Sequence, residues 1–452
     1  MRSRGSTIAG IVLGVLTTAA YLIGSNRSFG YDAAATFANF IATPSLWDAF
    51  AVHSVIPTID IKSVASNDHV LLSLLSHLIY STTGSRSEIV YRLLPALAAG
   101  GTVGVMAAVM SRKFGLVAGI SAALYIATVP LFVDNGRDLR GYSLAAFFSV
   151  LATILLASKG SATEVGKGGQ KPWTRLALIA YALLMGLAIA AQLFAAVVLA
   201  AHLVWIATRR DARQIVWLAP AWISAAVIGV AANANIQFME LVQHGYPASV
   251  FNPDFPRDLV LFLFGAPVLL PIGLWLSAAG LGLWALRAEP WLWASGAVIV
   301  VVVAILWLGL KPAYLYPRFF TFLVPGLAFL MAAAIARWKV LAPIVLVGAV
   351  AAAISQATGY TEDPLALRQA AAFVDRTHAA GRTACVIHAD EQVLAAYTTN
   401  FTVVSTPDQL SRCDAVVVVS WNVDLALRDQ AAQQFPRRTI LQAYYPAVVL
   451  ER

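Results

Sequence analysis

Apolar runs close to the roughly 20 residues a helix needs to cross a hydrocarbon core recur along this 452-residue chain from its first residues to about Gln356. That recurrence leaves few architectures open. In lipid a backbone must satisfy its own hydrogen bonds, and the segments that do so are helices or closed barrels. Runs of this length are what a spanning helix needs, so a helical bundle is the expectation. A chain that is 59% hydrophobic and 12% charged, with a mean hydropathy of +0.74, lies far from the usual balance of soluble domains. Beyond residue 356 the composition turns to that of an ordinary soluble domain. We therefore read a polytopic α-helical membrane region over residues 1–356, with an outer first loop over 25–92, and a small α/β domain over 357–452 on the outer face.

Apolar runs between charged breaks give about eleven transmembrane helices: Thr7–Gly24, Leu93–Met110, Leu116–Val133, Tyr142–Ala157, Leu176–Ala190, Phe194–Ala207, Ile215–Ala232, Leu259–Leu286, Trp291–Leu310, Phe319–Ala336 and Val340–Ser355. The first follows a basic start and resembles a cleavable signal peptide, but its length and the spans behind it favour an uncleaved helix. The run "VLLSLLSHLIYSTTG" after Asn67 is short and interrupted by His77 and serines. It is placed flat at the outer interface, as segments of about 10–14 apolar residues commonly are. With that choice fourteen Lys and Arg fall in loops on the N-terminal side and nine on the other. The excess makes the N-terminus cytoplasmic and the C-terminal domain extracytoplasmic. The net charge of +8 does not point to nucleic acid, because the basic residues sit in short loops where they orient helices and meet anionic membrane lipids.

As drawn, no span contains Asp, Glu, Lys or Arg, so the chemistry is expected at the outer surface. Asp32, in "FGYDAAATFANF", opens an amphipathic stretch, where capping a helix is the plain alternative to a catalytic role. Asp48, Asp60 and Lys62 follow, and Asn67, Asp68 and His69 stand just ahead of the interfacial run. "DNGRDLRGYSL" places Arg137, Asp138, Arg140 and Tyr142 between two apolar runs. Arginines snorkelling to lipid phosphate, neutralised by Asp138, are the structural alternative.

The stretch from "NDHVLLSLL" through "RDLRGYSL" resembles the core of the C-type, polyprenyl-phosphate-dependent glycosyltransferases related to protein O-mannosyltransferases and aminoarabinose transferases. The resemblance rests on Asn67 to His69, Gly84, Glu88, Arg92 with "LLPAL", Arg112 and Lys113, and "RDLRGY", where Asp138 stands for the family's Glu. It covers about Tyr31 to Lys159. "YLYPRFFTFLVPGLAFL", carrying Arg318, resembles a later family segment, with Phe319 in place of a Tyr. The family's adjacent acids are reduced here to Asp32-Ala33, which leaves the second acid's role open or hands it to Asp138, Asp68 or Asp60.

The resemblance implies a bacterial inner-membrane enzyme that moves a sugar from a polyprenyl-phosphate donor to an acceptor hydroxyl on a glycan, lipid or protein, with inversion. Asp32 and Asp138 are then the catalytic candidates. Arg137, Arg140, Arg318, Lys62, Asp68, His69 and Tyr142 are the substrate-binding ones. No metal ligands are assigned, and whether a divalent metal takes part is left open, as are the sugar and the acceptor. The competing class is a transporter or flippase without covalent chemistry, whose marks would be intramembrane ionisable residues and paired broken helices. A catalytically dead scaffold is a third reading.

The C-terminal domain alternates helix-like "LALRQAAAFVDRTHAAG" with strand-like "TACVIHA", "FTVVS" and "DAVVVVS", a pattern of a small α/β layer. It has no Gly-rich phosphate loop. Its two cysteines, Cys385 and Cys413, open two of the strand-like runs. They meet in a disulfide if those strands are neighbours, and stay reduced if "FTVVS" lies between them.

Overall fold

The computed structural model describes residues 2–50, 68–159, 173–208, 212–238, 253–310, 315–357, 366–388, 390–419, 424–441 and 448–451. The chain divides into two compact units. One, the helical unit, comprises Met1–Ile23, Arg92–Ala234 and Gly245–Tyr360; the other, the sheet-bearing unit, comprises Gly24–Tyr91, Asn235–His244 and Thr361–Arg452.

Among the described residues, five helices are long and apolar enough to cross a membrane: Arg4–Leu22, Glu88–Phe114, Ile215–Asn233, Pro290–Leu308 and Pro317–Arg337. The remaining apolar runs form shorter helices, such as Arg175–Ala191 and Leu341–Ala357. Two of the expected spans are not single helices. The run Leu116–Val133 breaks into Leu116–Thr128 and Pro130–Arg137, bent by 61°. Pro130 supplies no amide donor and pushes Val129 into an extended conformation (φ −65°, ψ 124°). The run Leu259–Leu286 separates into Phe255–Leu263 and Leu269–Ala285. Between them Gly265 takes φ +109°, a conformation glycine tolerates and helices do not, and Pro267 follows.

Small residues let the first helix approach the Glu88–Phe114 helix. A Cβ at Gly10 would lie 2.5 Å from the Gly104 carbonyl oxygen, and one at Gly14 2.9 Å from that of Gly100. The "GIVLG" and "GGTVG" segments thus form a small-residue interface of the kind that substitutes for hydrophobic drive between helices in lipid. Deeper in the unit, Tyr125 and Trp275 meet edge to face at 4.8 Å. Their polar tips donate to the carbonyls of Leu263 (2.6 Å) and Val345 (3.1 Å), as buried Tyr and Trp require. At the other extreme, Pro290–Ala304 packs on Ala196–Thr208 yet fully buries none of its residues, and a helix apolar on all sides and so exposed suits an apolar surrounding.

Among the described residues the sheet-bearing unit has five strands: β1 Ala384–Ile387, β2 Thr402–Val404, β3 Ala415–Val418, β4 Arg437–Ile440 and β5 Val448–Glu451. Their order is β2-β1-β3-β5-β4, parallel through β2, β1 and β3 and antiparallel beyond. "FTVVS" therefore lies outside β1, and β1 and β3 are neighbours. Cys385 and Cys413 accordingly form a disulfide, Cα to Cα 5.7 Å. The strands β4 and β5 were not anticipated: β4 is the exposed, polar edge "RRTI", and β5 is a four-residue strand at the end of the chain.

The first loop, assigned from the sequence to the membrane region, shares this unit with the C-terminal domain. It contributes the helix Tyr31–Thr36, the wider turn Phe37–Ile41 and the helix Val70–Thr83. The last of these ends at Gly84, φ +60°, and buries Val70, Leu71, Leu72 and Ser73 all round its first turn, with Ser76 and His77 beyond. Its 14 residues reach about 21 Å, short of the ~30 Å of a hydrocarbon core.

Candidate functional site

In the helical unit the "DNGRDLRGYSL" segment follows the bend at Pro130. Gly136 presses on the Tyr21 ring, where a Cβ would come within 2.5 Å. That approach carries the buried Arg137 to the end of the first helix. Its guanidinium donates from Nε to the Tyr21 carbonyl (3.3 Å) and from Nη2 to that of Ile23 (2.7 Å). The last carbonyls of a helix have no partner inside it, and a cation is favoured at that end. Asp138 is half-buried; its Oδ1 accepts the Leu139 amide (2.9 Å) and its carbonyl the Arg140 amide (2.8 Å). These two local bonds hold the chain where it turns out of the helix.

Arg140 is 3% exposed, with its guanidinium 5.8 Å from the centre of the Tyr142 ring. The segment is joined to "YPRFF", which carries Arg318. Asn135 donates to the Thr321 hydroxyl at 2.7 Å, and the Tyr142 and Phe319 rings lie 6.2 Å apart. Arg318 stacks over Tyr316 at 4.7 Å. Arg137, Asp138, Arg140, Tyr142 and Arg318 are thus gathered on two short segments that pack together. Reasoning from sequence overlooked the buried pair Asn135 and Thr321; an Asn just ahead of Gly-Arg in an apolar run is the signal that marks it. An open hollow lined by Arg4, Thr7, Ile8 and Arg112 lies at the opposite end of the first helix and is not part of this cluster.

In the sheet-bearing unit, Asp32 stands in the first turn of Tyr31–Thr36, with Gly30 rather than Asp32 as the N-cap. It is half-buried, while Ala33 to Ile41 behind it are buried throughout. His77 Nδ1 lies 3.0 Å from the Ile41 carbonyl, tying Val70–Thr83 to the end of the Asp32 segment. Asp68 accepts the Ser73 hydroxyl at 2.5 Å, and the buried His69 is the N-cap of Val70–Thr83. Lys62 and Asp60 lie outside the described residues. Among the described residues no group of three or more His, Cys, Asp or Glu is arranged to hold a metal ion.

The absence of charge from the spans holds only for the spans as drawn: Arg92, within the longer Glu88–Phe114 helix, is 2% exposed. A neutral polar cluster also crosses the bundle. His202 lies 2.9 Å from the Thr153 hydroxyl and 2.8 Å from that of Tyr181, which accepts from Trp222 at 3.2 Å. Four helices are joined there by polar contacts that leave both ring nitrogens of His202 engaged.

No protein-family model and no curated protein matches the chain. Among solved structures, ArnT from Cupriavidus metallidurans in the apo state is similar at 13% identity, with 97% of each chain covered and a TM-score of 0.64. The same protein bound to undecaprenyl phosphate is similar at 14% identity, again over 97% of each chain, with a TM-score of 0.62. The resemblance drawn from "RDLRGY" and its neighbours is therefore borne out at the level of the fold, end to end.

Proposed function

We propose that this protein is a bacterial inner-membrane glycosyltransferase that moves a sugar from a polyprenyl-phosphate donor to an acceptor hydroxyl at the outer face, inverting the anomeric centre. The observation that carries the reading is the packing of the segment that bears the buried Arg140 against the Arg318 segment, through Asn135 with Thr321 and Tyr142 with Phe319, inside a fold shared over 97% of its length with an ArnT solved bound to undecaprenyl phosphate. Guanidinium forks match phosphate oxygens, and near-buried ones hold an anion in a poorly screened setting. Arg140 and Arg318 are assigned to the donor phosphate. Arg137, engaged on helix-end carbonyls, positions the segment.

Asp32 is assigned as general base. It takes the proton of the acceptor hydroxyl as that oxygen bonds to the anomeric carbon. The bond from that carbon to the phosphate oxygen breaks, and polyprenyl phosphate leaves with the electron pair, its charge met by the arginines. Phosphate is a competent leaving group, so one carboxylate suffices even though Ala33 replaces the second acid. Asp138 is the second catalytic candidate, next in line as base, and Asp68, His69, Lys62 and Tyr142 are assigned to the substrate-binding surroundings of this step. About eleven helical passes, a cytoplasmic N-terminus and an outer C-terminal domain complete the proposal. Cysteine labels at Thr163 and Ser249 should react from the cytoplasmic and outer sides respectively, and the reverse pattern would overturn the topology. For the activity, the purified protein is offered a panel of polyprenyl-phosphate sugars with mass spectrometry of the products. Release of polyprenyl phosphate coupled to a glycosylated acceptor supports the reading; movement of intact donor between leaflets without cleavage would replace it with the transporter.

A further inference from the structure

Glu88 is an unusual place for a carboxylate, at the start of an apolar helix and with its side chain 1% exposed. A buried carboxylate is tolerable only when it is paired and hydrogen-bonded, and every partner described for it comes from the C-terminal domain. Arg368 forks onto it, Nε to Oε1 at 2.7 Å and Nη2 to Oε2. The Tyr397 hydroxyl donates to Oε1 at 2.8 Å.

The same two residues hold the turn that leads into Asp32. The Tyr397 oxygen accepts the Phe29 amide at 2.7 Å. Arg368 donates its backbone amide to the Ser28 hydroxyl (3.3 Å) and its Nη2 to Asn26 Oδ1 (3.1 Å). Phe29 is fully buried, with its ring 6.1 Å from Tyr397 and 5.3 Å from Phe37. Three residues upstream of Tyr397, the short helix Glu391–Leu394 packs against Tyr31–Thr36, the helix that carries Asp32. Arg86 adds a bond to the Ala396 carbonyl at 3.2 Å.

We infer that Glu88, Arg368 and Tyr397 form a latch through which the C-terminal domain sets the position of the Asp32 segment. These are positioning residues: they act on Asn26, Ser28 and Phe29, and through that turn on Asp32. The inference rests on the catalytic role proposed for Asp32, and it turns the C-terminal domain from passive cover into part of the apparatus. Tyr397 is the sharpest point of the latch, because its single oxygen bridges the Phe29 amide, three residues before Asp32, and the buried carboxylate.

The test compares full-length Tyr397→Phe, Arg368→Gln, Arg368→Lys and Asp32→Asn with the parent protein in the same membrane mimetic. Hydrogen exchange of peptides covering residues 25–40 is read beside kcat and the donor KM. A latch gives faster exchange at 28–36 in Tyr397→Phe and Arg368→Gln, while peptides from β1 and β3 keep their protection. It also lowers kcat roughly 10- to 100-fold, the scale on which ångström displacements of a catalytic group act, with the donor KM little changed. Arg368→Lys, which keeps the charge but not the fork, should fall between. Parent-like exchange and kcat in both Tyr397→Phe and Arg368→Gln would overturn the latch, as would loss of protection across the whole sheet, which marks a merely unfolded domain. If Asp32→Asn stays active, the assignment of the base fails, and the exchange at 28–36 still decides the latch independently.

Discussion

In the helical unit, Arg137 turns its guanidinium on the carbonyls of Tyr21 and Ile23. In the sheet-bearing unit, Arg368 forks onto the carboxylate of Glu88. The contrast extends to how each unit is joined. Helix meets helix through glycines, as at Gly10 and Gly104, and through neutral clusters such as Tyr181 with His202. The sheet-bearing unit joins segments far apart in the chain by an ion pair, a disulfide and strand pairing. An apolar surrounding makes helix-end carbonyls the natural acceptors for a buried cation, since a carboxylate brought there must itself be desolvated. Where the surface is wet, acids are cheap to keep, and burying one of them can tie distant segments together. The comparison implies that damage should stay local: polar changes in one unit should leave the other's packing intact.

The largest expected effect falls on the sheet-bearing unit. Asp32→Asn should lower transfer about 10²- to 10⁴-fold, the usual share of a general base, without changing the melting temperature; near-parent turnover would pass the assignment to Asp138. Next comes Cys385→Ser with Cys413→Ser. The disulfide closes a loop of sequence separation 28, for which the chain-entropy estimate is about 3–4 kcal/mol. Proteolysis should then reach the C-terminal residues first while the helical unit stays protected, and simultaneous cleavage of both units would break the comparison.

A smaller and divided effect is expected of the two arginines. Arg140→Ala should raise the donor KM roughly 10- to 100-fold, the worth of a lost hydrogen bond to a charged group. Arg137→Ala should instead cost stability, about 1.5–3 kcal/mol on the same scale, seen as a lower melting temperature with the donor KM held. Equal kinetic effects from both variants would show that the two side chains serve the phosphate alike. The smallest effect belongs to packing. Gly10→Ala drives a methyl group into the Gly104 backbone and should destabilise by about 1–3 kcal/mol, whereas Gly296→Ala, which meets nothing within 4 Å, should be neutral. Matching thermal shifts in the two variants would argue against the close helix approach.

Much of the helical unit was legible because apolar length is a local property: most runs became helices within a few residues of where composition placed them. Misreadings occurred where single residues outweighed composition, at Pro130 and at Gly265 with Pro267, since one missing donor or one positive φ ends a helix however apolar its surroundings. In the C-terminal domain, β1, β2 and β3 were visible as β-branched runs, whereas β4 is too polar to signal itself and β5, no shorter than β1, was passed over. Candidate residues were found by type and neighbourhood. Asn135 with Thr321 and the bonds converging on Glu88 were not, because their partners lie 186, 280 and 309 residues away.

Sequence alone therefore determined the class of the molecule, the grouping of arginines and an acid around residues 137–140, and the acid at 32, because hydropathy and charge act through near neighbours. It left the disulfide undecided, and strand order settled it: with β1 beside β3, Cys385 and Cys413 meet. Tertiary structure likewise divided two similar-looking arginines three positions apart, one engaged on the end of the first helix and the other beside Tyr142 near the Arg318 segment. The physical reason is the same in each case. A side chain's task is set by what it can reach, and reach across hundreds of residues exists only once the chain has packed.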